Sequence, residues 1–447
     1  YIMMFHTKLL TNNLLIKFIL FTTMVFCLTL LGCSSDADET TTGSGTFAIP
    51  ASCCPSWSPD SNRVTYVSDR DGNLEIYVSN IDGSNPVNIS NNSADDGWAV
   101  WSPTSEKIAF LSTRDGKIDV YVANSDGSSV LNLTNTPGHD ESAISWSPDG
   151  TTLAYISWSV KSSISNPDTN GDEKLMTVGV DGSNNVELST AIGADLDISP
   201  EWSHDGTRIA FTSDKDSEVN RNLDIYIINK DGTGLRRFTT QDAQDYYPSW
   251  SPDDSQMVFI SRRWGGDDLM LKPIVSTGNV GGKFSGRVTD EILLTINPND
   301  DWQPIWTKDG KRIVFVTQRH GNAPEIYIMN AVNATTYDCE ANMDNTIQRG
   351  CLASGVKTPI DLHLDASDGH ISISPDGTHL AFVSDRSGFN DVFVMPISAI
   401  QEFKEGGFAS KVEGVVNVTA GSNSNNGYPY WSDGKERSRM PKVKVGW

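Results

Sequence analysis

Five aspartates stand at one fixed distance ahead of a recurring, mostly tryptophan anchor. Asp96, Asp197, Asp245, Asp301 and Asp368 lie five residues before Trp101, Trp202, Trp250, Trp306 and Ile373, and Asp140 lies one residue further from Trp146. Carboxylates repeated at one place in successive units converge if the units are arranged around an axis. Like charges held together raise one another's pKa or recruit a cation, and Ca²⁺ takes oxygen ligands of this kind. The competing reading is that each aspartate caps its own turn by accepting backbone N–H groups. A second oxygen-rich segment, with Asp168, Asn170 and Asp172, alternates ligands as a calcium loop does. Its glycine comes early, at Gly171, and Gly179 stands where the bidentate glutamate belongs, so a plain polar turn also fits.

Catalytic motifs are missing from the chain. There is no Gly-x-Ser-x-Gly, His-Glu-x-x-His or Gly-x-x-x-x-Gly-Lys-Ser/Thr, and the seven histidines (His6, His139, His204, His320, His363, His370, His379) show no metal-ligand spacing. The expectation is a protein that is not an enzyme. A lyase or hydrolase with residues dispersed around a funnel is the exception that motifs would not reveal. With 57 acidic against 34 basic residues and a net charge of −23, nucleic acid is excluded as a partner by phosphate repulsion. The C-terminus reverses locally, with Lys435, Arg437, Arg439, Lys442 and Lys444. That tail either touches anionic lipid or is a solvated end.

The elements that would position these residues repeat. Anchors recur at Trp57, Trp101, Trp146, Trp202, Trp250, Trp306, Ile373 and Trp431, with the shortest spacing 44 residues and the longest 67. One unit contains four short runs rich in Val, Ile, Tyr, Phe and Thr, bounded by Gly, Asp, Asn, Ser or Pro, which is the strand-and-turn signature. Four short strands in about 45 residues is the size of a propeller blade. Ser147-Pro148-Asp149-Gly150 and Ser374-Pro375-Asp376-Gly377 fit a tight turn between first and second strands, and Asp82-Gly83 or Asp126-Gly127 a hairpin between third and fourth. No sustained 3.6-residue apolar period occurs beyond the N-terminus, so few helices are expected.

These residues resemble the TolB-like, or WD40-like (PD40), β-propeller repeat. Its motif runs Pro-x-Trp-Ser-Pro-Asp-Gly, Ile-Ala-Phe-x-Ser-x-Arg, Ile-Tyr-Val, Asp-Gly and Leu-Thr, and the likeness covers roughly residues 55–432. Some copies depart from it: the third lacks the arginine, the fourth has Lys215 there, and the sixth reads Trp306-Thr307-Lys308-Asp309-Gly310. The fold expected is all-β, a propeller of seven four-stranded blades, or of eight if both termini build one more. The repeated Arg70, Arg114, Arg263, Arg319 and Arg386 should pair with acidic neighbours on their own blades. The resemblance implies protein–protein interaction through one propeller face and therefore a non-catalytic platform for envelope proteins. The alternative is a glycan or small-ligand binding protein using the channel mouth, with Ca²⁺. Repeat-specific insertions at 159–174, 265–290, 331–357 and 400–413, with Trp158, Trp264 and Trp302 in or near them, are where binding would break the symmetry.

The N-terminus places Lys8 and Lys17 before an apolar run over 18–31 and then Leu30-Leu31-Gly32-Cys33. This order fits a signal segment over 1–32. Leu-Leu-Gly-Cys is similar to a bacterial lipobox, which implies lipidation of Cys33 and a membrane anchor, and Ser34 after it implies the outer membrane. Residues 33–46 then form a polar tether, 47–432 the propeller, and 433–447 a basic tail or closing strand. In the oxidising compartment this implies, Cys339 and Cys351 are expected to form a disulfide across a long insertion. The adjacent Cys53 and Cys54 stay open.

Overall fold

The computed structural model describes residues 55–159, 173–189, 197–215, 222–274, 291–296, 299–318, 323–331, 356–359, 367–399 and 414–420. Cys33, Cys53, Cys54, Cys339, Cys351, Arg319, the 168–172 segment and the eighth anchor Trp431 lie outside them. Among the described residues there are seven four-stranded antiparallel sheets, each built from four strands consecutive in the chain. The only helical element among them is a single 3₁₀ turn at Ile397–Ala399.

The first strands are Ser56–Trp57, Asp96–Trp101, His139–Trp146, Asp197–Trp202, Asp245–Trp250, Asp301–Trp306 and Asp368–Ile373. Each touches the first strands of the blades before and after it, and the seventh touches the first, so the seven encircle one axis. The protein is a seven-bladed β-propeller whose first strands line the channel.

No blade can bury its own faces. In Lys107–Ser112, Ile108 and Phe110 face blade 1, whereas Ala109 and Leu111 face blade 3. This is the two-residue alternation of a strand buried on both sides. The result is seven apolar clusters, one at each seam between neighbours. At about 1.5–3 kcal/mol for each fully buried large apolar side chain, these seams are the dominant favourable term. Aromatic pairs face each other across the second and third strands of most blades, as Phe110 and Tyr121 do with ring centroids 5.8 Å apart and Phe382 and Phe393 at 5.7 Å.

The first turn explains its own motif. Ser147 Oγ donates to Asp149 Oδ1 at 2.6 Å and accepts Thr152 N–H at 3.0 Å, while Gly150 takes φ 69°. The divergent sixth copy keeps the same bonds with a threonine, since Thr307 Oγ1 donates to Asp309 Oδ1 at 2.6 Å and accepts Arg312 N–H at 3.0 Å.

Among the described residues, ring closure uses no exchanged strand. Blade 7 meets blade 1 through a cluster containing Trp57, Val64, Tyr66, Tyr77, Val383, Val394 and Val418. Trp57 Nε1 donates to Ser372 O at 3.3 Å, and Asp376 N–H donates to Ser61 Oγ at 3.1 Å. Gly83 turns at φ 81° against this seam, where a Cβ would meet Val418 O at 2.7 Å, so only glycine fits. With blades 7 and 1 in direct contact, the eight-bladed alternative falls away. Replacing Trp57 by Ala should therefore cost about 3–5 kcal/mol, read as a lower urea midpoint. A loss under about 1 kcal/mol would mean that the seam does not hold the ring.

Candidate functional site

The carboxylates of the sequence pattern sit at or next to the start of the first strands of blades 2 to 7 and are buried, with Asp96, Asp245 and Asp301 fully so. Each is registered against a hydroxyl residue at the end of the second strand: Asp96 with Ser112, Asp197 with Ser213, Asp245 with Ser261, Asp301 with Thr317, and Asp368 with Ser384. In blade 3 the residue registered with Ser157 is Glu141, not Asp140. Glu141 stands five residues before Trp146, so the spacing itself carried this signal. Asp140 instead accepts Ile118 N–H at 2.9 Å, as Asp95 accepts Leu74 N–H at 3.1 Å, and thereby ties its blade to the previous one.

Three of the five repeated arginines, Arg114, Arg263 and Arg386, complete these sites, while Arg70 of blade 1 donates to Ser68 Oγ at 2.9 Å. Arg114 Nη2 reaches Asp96 Oδ1 at 3.1 Å and its Nε donates to Ser112 Oγ at 2.8 Å. The guanidinium carbon lies 5.4 Å from the Phe110 ring centroid and 4.8 Å from that of Tyr121. Arg386 repeats this with Asp368 at 2.6 Å, Ser384, Phe382 and Phe393, and Arg263 pairs with Asp245 at 2.6 Å. A planar guanidinium suits such a slot because it binds a carboxylate while stacking on aromatic faces. Further out, Thr134 Oγ1 donates to Asp119 Oδ1 at 3.0 Å while accepting Val120 N–H at 3.0 Å, and Thr239 does the same for Asp224 and Ile225.

These bonds decide what the ring can do. Asp96, Asp245 and Asp368 are held by arginines of their own blades, Asp197 Oδ2 accepts Leu175 N–H at 3.4 Å, and Asp140 caps a backbone amide. Among the described residues no three His, Cys, Asp or Glu come together in a group that could hold a metal ion. Blade 3 differs in having no basic residue at this place, where blade 4 has Lys215 and blades 2, 5 and 7 an arginine. Burial, and secondly the charge of Asp119 across the seam, push the Glu141 carboxyl up to about 9.

The sequence pattern did not disclose a second ring. Each of six first strands bulges between its second and fifth residues counted from the carboxylate, so that two of its residues oppose one. The first residue of the bulge is left-handed every time: Trp98 (φ 50°), Ala143 (51°), Ser199 (52°), Tyr247 (53°), Gln303 (51°) and His370 (53°). No residue type marks this position, and for that reason the pattern was not legible. Trp302, expected near a binding loop, is instead packed between blades against two seam clusters, and Trp264 stands 41% exposed in a second-to-third strand turn. Trp158 lies in the second strand Thr152–Ser159 of blade 3, registered with Asp140.

These contacts yield two expected outcomes. Removing Arg386 by Arg386→Met strands a buried carboxylate and should cost roughly 3–5 kcal/mol, most of it recovered when Asp368→Asn is added. Glu141 would hold its proton in the folded protein up to about pH 9, whereas the unfolded chain gives it up near 4.5, so it subtracts stability as pH rises through that window. Glu141→Gln should then melt higher than wild type by a margin that grows from pH 5 to pH 9. A constant margin would show that Glu141 ionises normally.

Comparison with known proteins agrees with this geometry. Residues 46–181 match the family described as the TolB beta propeller domain. The Protein TolB homolog of Chlorobium luteolum is 29% identical over 128 residues, which is 28% of this chain and 24% of that protein. The Uncharacterized peptidase YuxL of Bacillus subtilis is 27% identical over 225 residues, 44% of this chain and 31% of that one. The matches thus span about a quarter to a third of these relatives' own length. Among solved structures, an oligogalacturonate lyase in complex with manganese shares the fold at a TM-score of 0.54 and 16% identity, covering 79% of this chain and 89% of that one. The expectation that the chain is not an enzyme does not stand against a lyase built on the same propeller and a relative named as a peptidase. Missing sequence motifs are a poor guide where residues from different blades meet at an axis. By its repeats, its seven blades and the matched segment 46–181, the chain is similar to the TolB-like β-propellers.

Proposed function

We propose that the protein is a bacterial envelope lipoprotein whose propeller is a platform for binding other envelope proteins. Lipid on Cys33 would tether it to the membrane, with the polar 34–46 segment as the spacer and a Cys339–Cys351 disulfide holding the longest insertion. The observation that carries the reading is a pair of large aromatic side chains in equivalent turns. Trp264 of blade 5 and Phe389 of blade 7 both stand 41% exposed between second and third strands, on the face where the carboxylate–arginine pairs lie. Exposed aromatics of this size are the usual anchors of protein interfaces. The scaffold beneath them is rigid, since Arg263 and Arg386 lock the turns that carry them. The TolB relative supports an interaction role, as that is what the likeness implies.

The test is capture of envelope proteins by the immobilised protein, with and without a calcium chelator. One protein should be retained saturably in both conditions, and Trp264→Ala with Phe389→Ala should weaken its retention at least tenfold. Retention indifferent to both substitutions would remove the rim face from the account. Retention lost on chelation would favour a cation-dependent site.

A further inference from the structure

The six bulges pose a question that the fold alone does not answer. Left-handed backbone is costly for any residue with a Cβ, and a bulge is a device for re-aiming a side chain. In this chain the copies themselves serve as an internal comparison. The positions on either side are nearly constant, a carboxylate at the head and Trp at the anchor, and both are buried. The strained position reads Trp98, Ala143, Ser199, Tyr247, Gln303 and His370. A structural role repeated six times would be met by one residue type, as it is for the carboxylate and the anchor.

These positions lie on the strands that line the channel, and Trp98, Ala143 and Tyr247 also pack against the apolar seams beside them. All but His370 are partly exposed, although their strands are covered by a blade on either side and by the second strand behind. The opening left to them is the channel. Gln303 Oε1 accepts His370 N–H at 2.9 Å, and Gln303 Nε2 lies 3.4 Å from His370 Nδ1, so the bulge residues of blades 6 and 7 touch. Two residues along from Ser199, Glu201 Oε2 is buried without a hydrogen-bond partner.

The wall is divided. Blades 2 and 3 contribute Trp98, Val100 and Ala143, which are apolar, and blades 4 to 7 contribute donors and acceptors. That polar side is uncharged near neutral pH, because burial raises the Glu201 carboxyl to about 8 and lowers the His370 imidazole to about 4. Among the described residues of that wall an anionic ligand would find no cation, and an ion buried without one is strongly disfavoured. An indole facing a neutral hydrogen-bonding wall matches a ring that has an apolar C–H face and hydroxyls at its edge.

We propose that the central channel binds an uncharged sugar, with Trp98 as its stacking face and Ser199, Glu201, Tyr247, Gln303 and His370 as its hydrogen-bonding wall. This site is separate from the rim turns of the platform reading, and either can fail without the other.

The experiment is a glycan array carrying neutral and acidic oligosaccharides, probed with the purified protein, then calorimetric titration of the strongest neutral binder. Saturable binding to neutral glycans is expected, weakened at least tenfold by Gln303→Ala and by Ser199→Trp. The second variant plugs the channel, so it answers even if Gln303→Ala folds poorly. Trp264→Ala should leave binding unchanged. No retained glycan, retention of acidic glycans alone, or binding unaffected by the Ser199→Trp plug would each overturn the proposal.

Discussion

Every blade of this protein is buried on both faces by its neighbours, and on that mutual burial the rest depends. A four-stranded sheet of this size cannot stand alone in water, because both sides of its second and third strands are apolar. The sheets are stable only as a closed circle, which makes the seam between the last blade and the first as necessary as any other. Closure of a ring by a strand exchanged between the two ends of the chain is one solution. This ring is fastened instead by side-chain packing, one indole hydrogen bond and a glycine that allows a close approach.

Closure also places charge where water is scarce. At the inner corner where the first strand begins, a carboxylate in blades 2, 5 and 7 joins hydroxyl and guanidinium groups into one knot. A buried ion pair of this kind is weak support for stability in itself, since its desolvation offsets much of the attraction. Its effect is geometric: it fixes the turn between second and third strands against the first. Blade 3 lacks the cation, and there Glu141 keeps its proton and faces Asp119 across a seam. That blade is also where the chain inserts residues 160–172, so the departure from the repeat and the departure in chemistry coincide.

Much of the fold was legible because repetition converts a single sequence into several copies of one sentence. Tryptophan anchors, the Ser-Pro-Asp-Gly turn and the Ile-Tyr-Val strand specified four strands per blade and their order, and Thr307 shows why a divergent copy still turns. The arginine pairs were legible too, from their regularity. The bulge was not, because it is a backbone state shared by Trp, Ala, Ser, Tyr, Gln and His, and no composition or period marks it. The carboxylate ring was half legible: the spacing located it, but a pattern of aspartate alone passes over Glu141. Whether carboxylates at an axis hold a cation depends on their partners, and spacing does not name partners. Motifs failed as a guide to enzymes for a related reason, since convergence at an axis leaves no local signature.

The central claim is that blade 7 packs directly on blade 1 with nothing between them. An engineered pair, Ser61→Cys with Asp376→Cys, tests it, because the Asp376 amide donates to Ser61 Oγ at 3.1 Å across the seam. Oxidation should give an intramolecular crosslink, seen as one bridged peptide by mass spectrometry, and a higher melting temperature. Failure to crosslink in folded protein, with the two thiols equally reactive and apart, would mean that another element separates the ends and that the ring is not closed by seven blades.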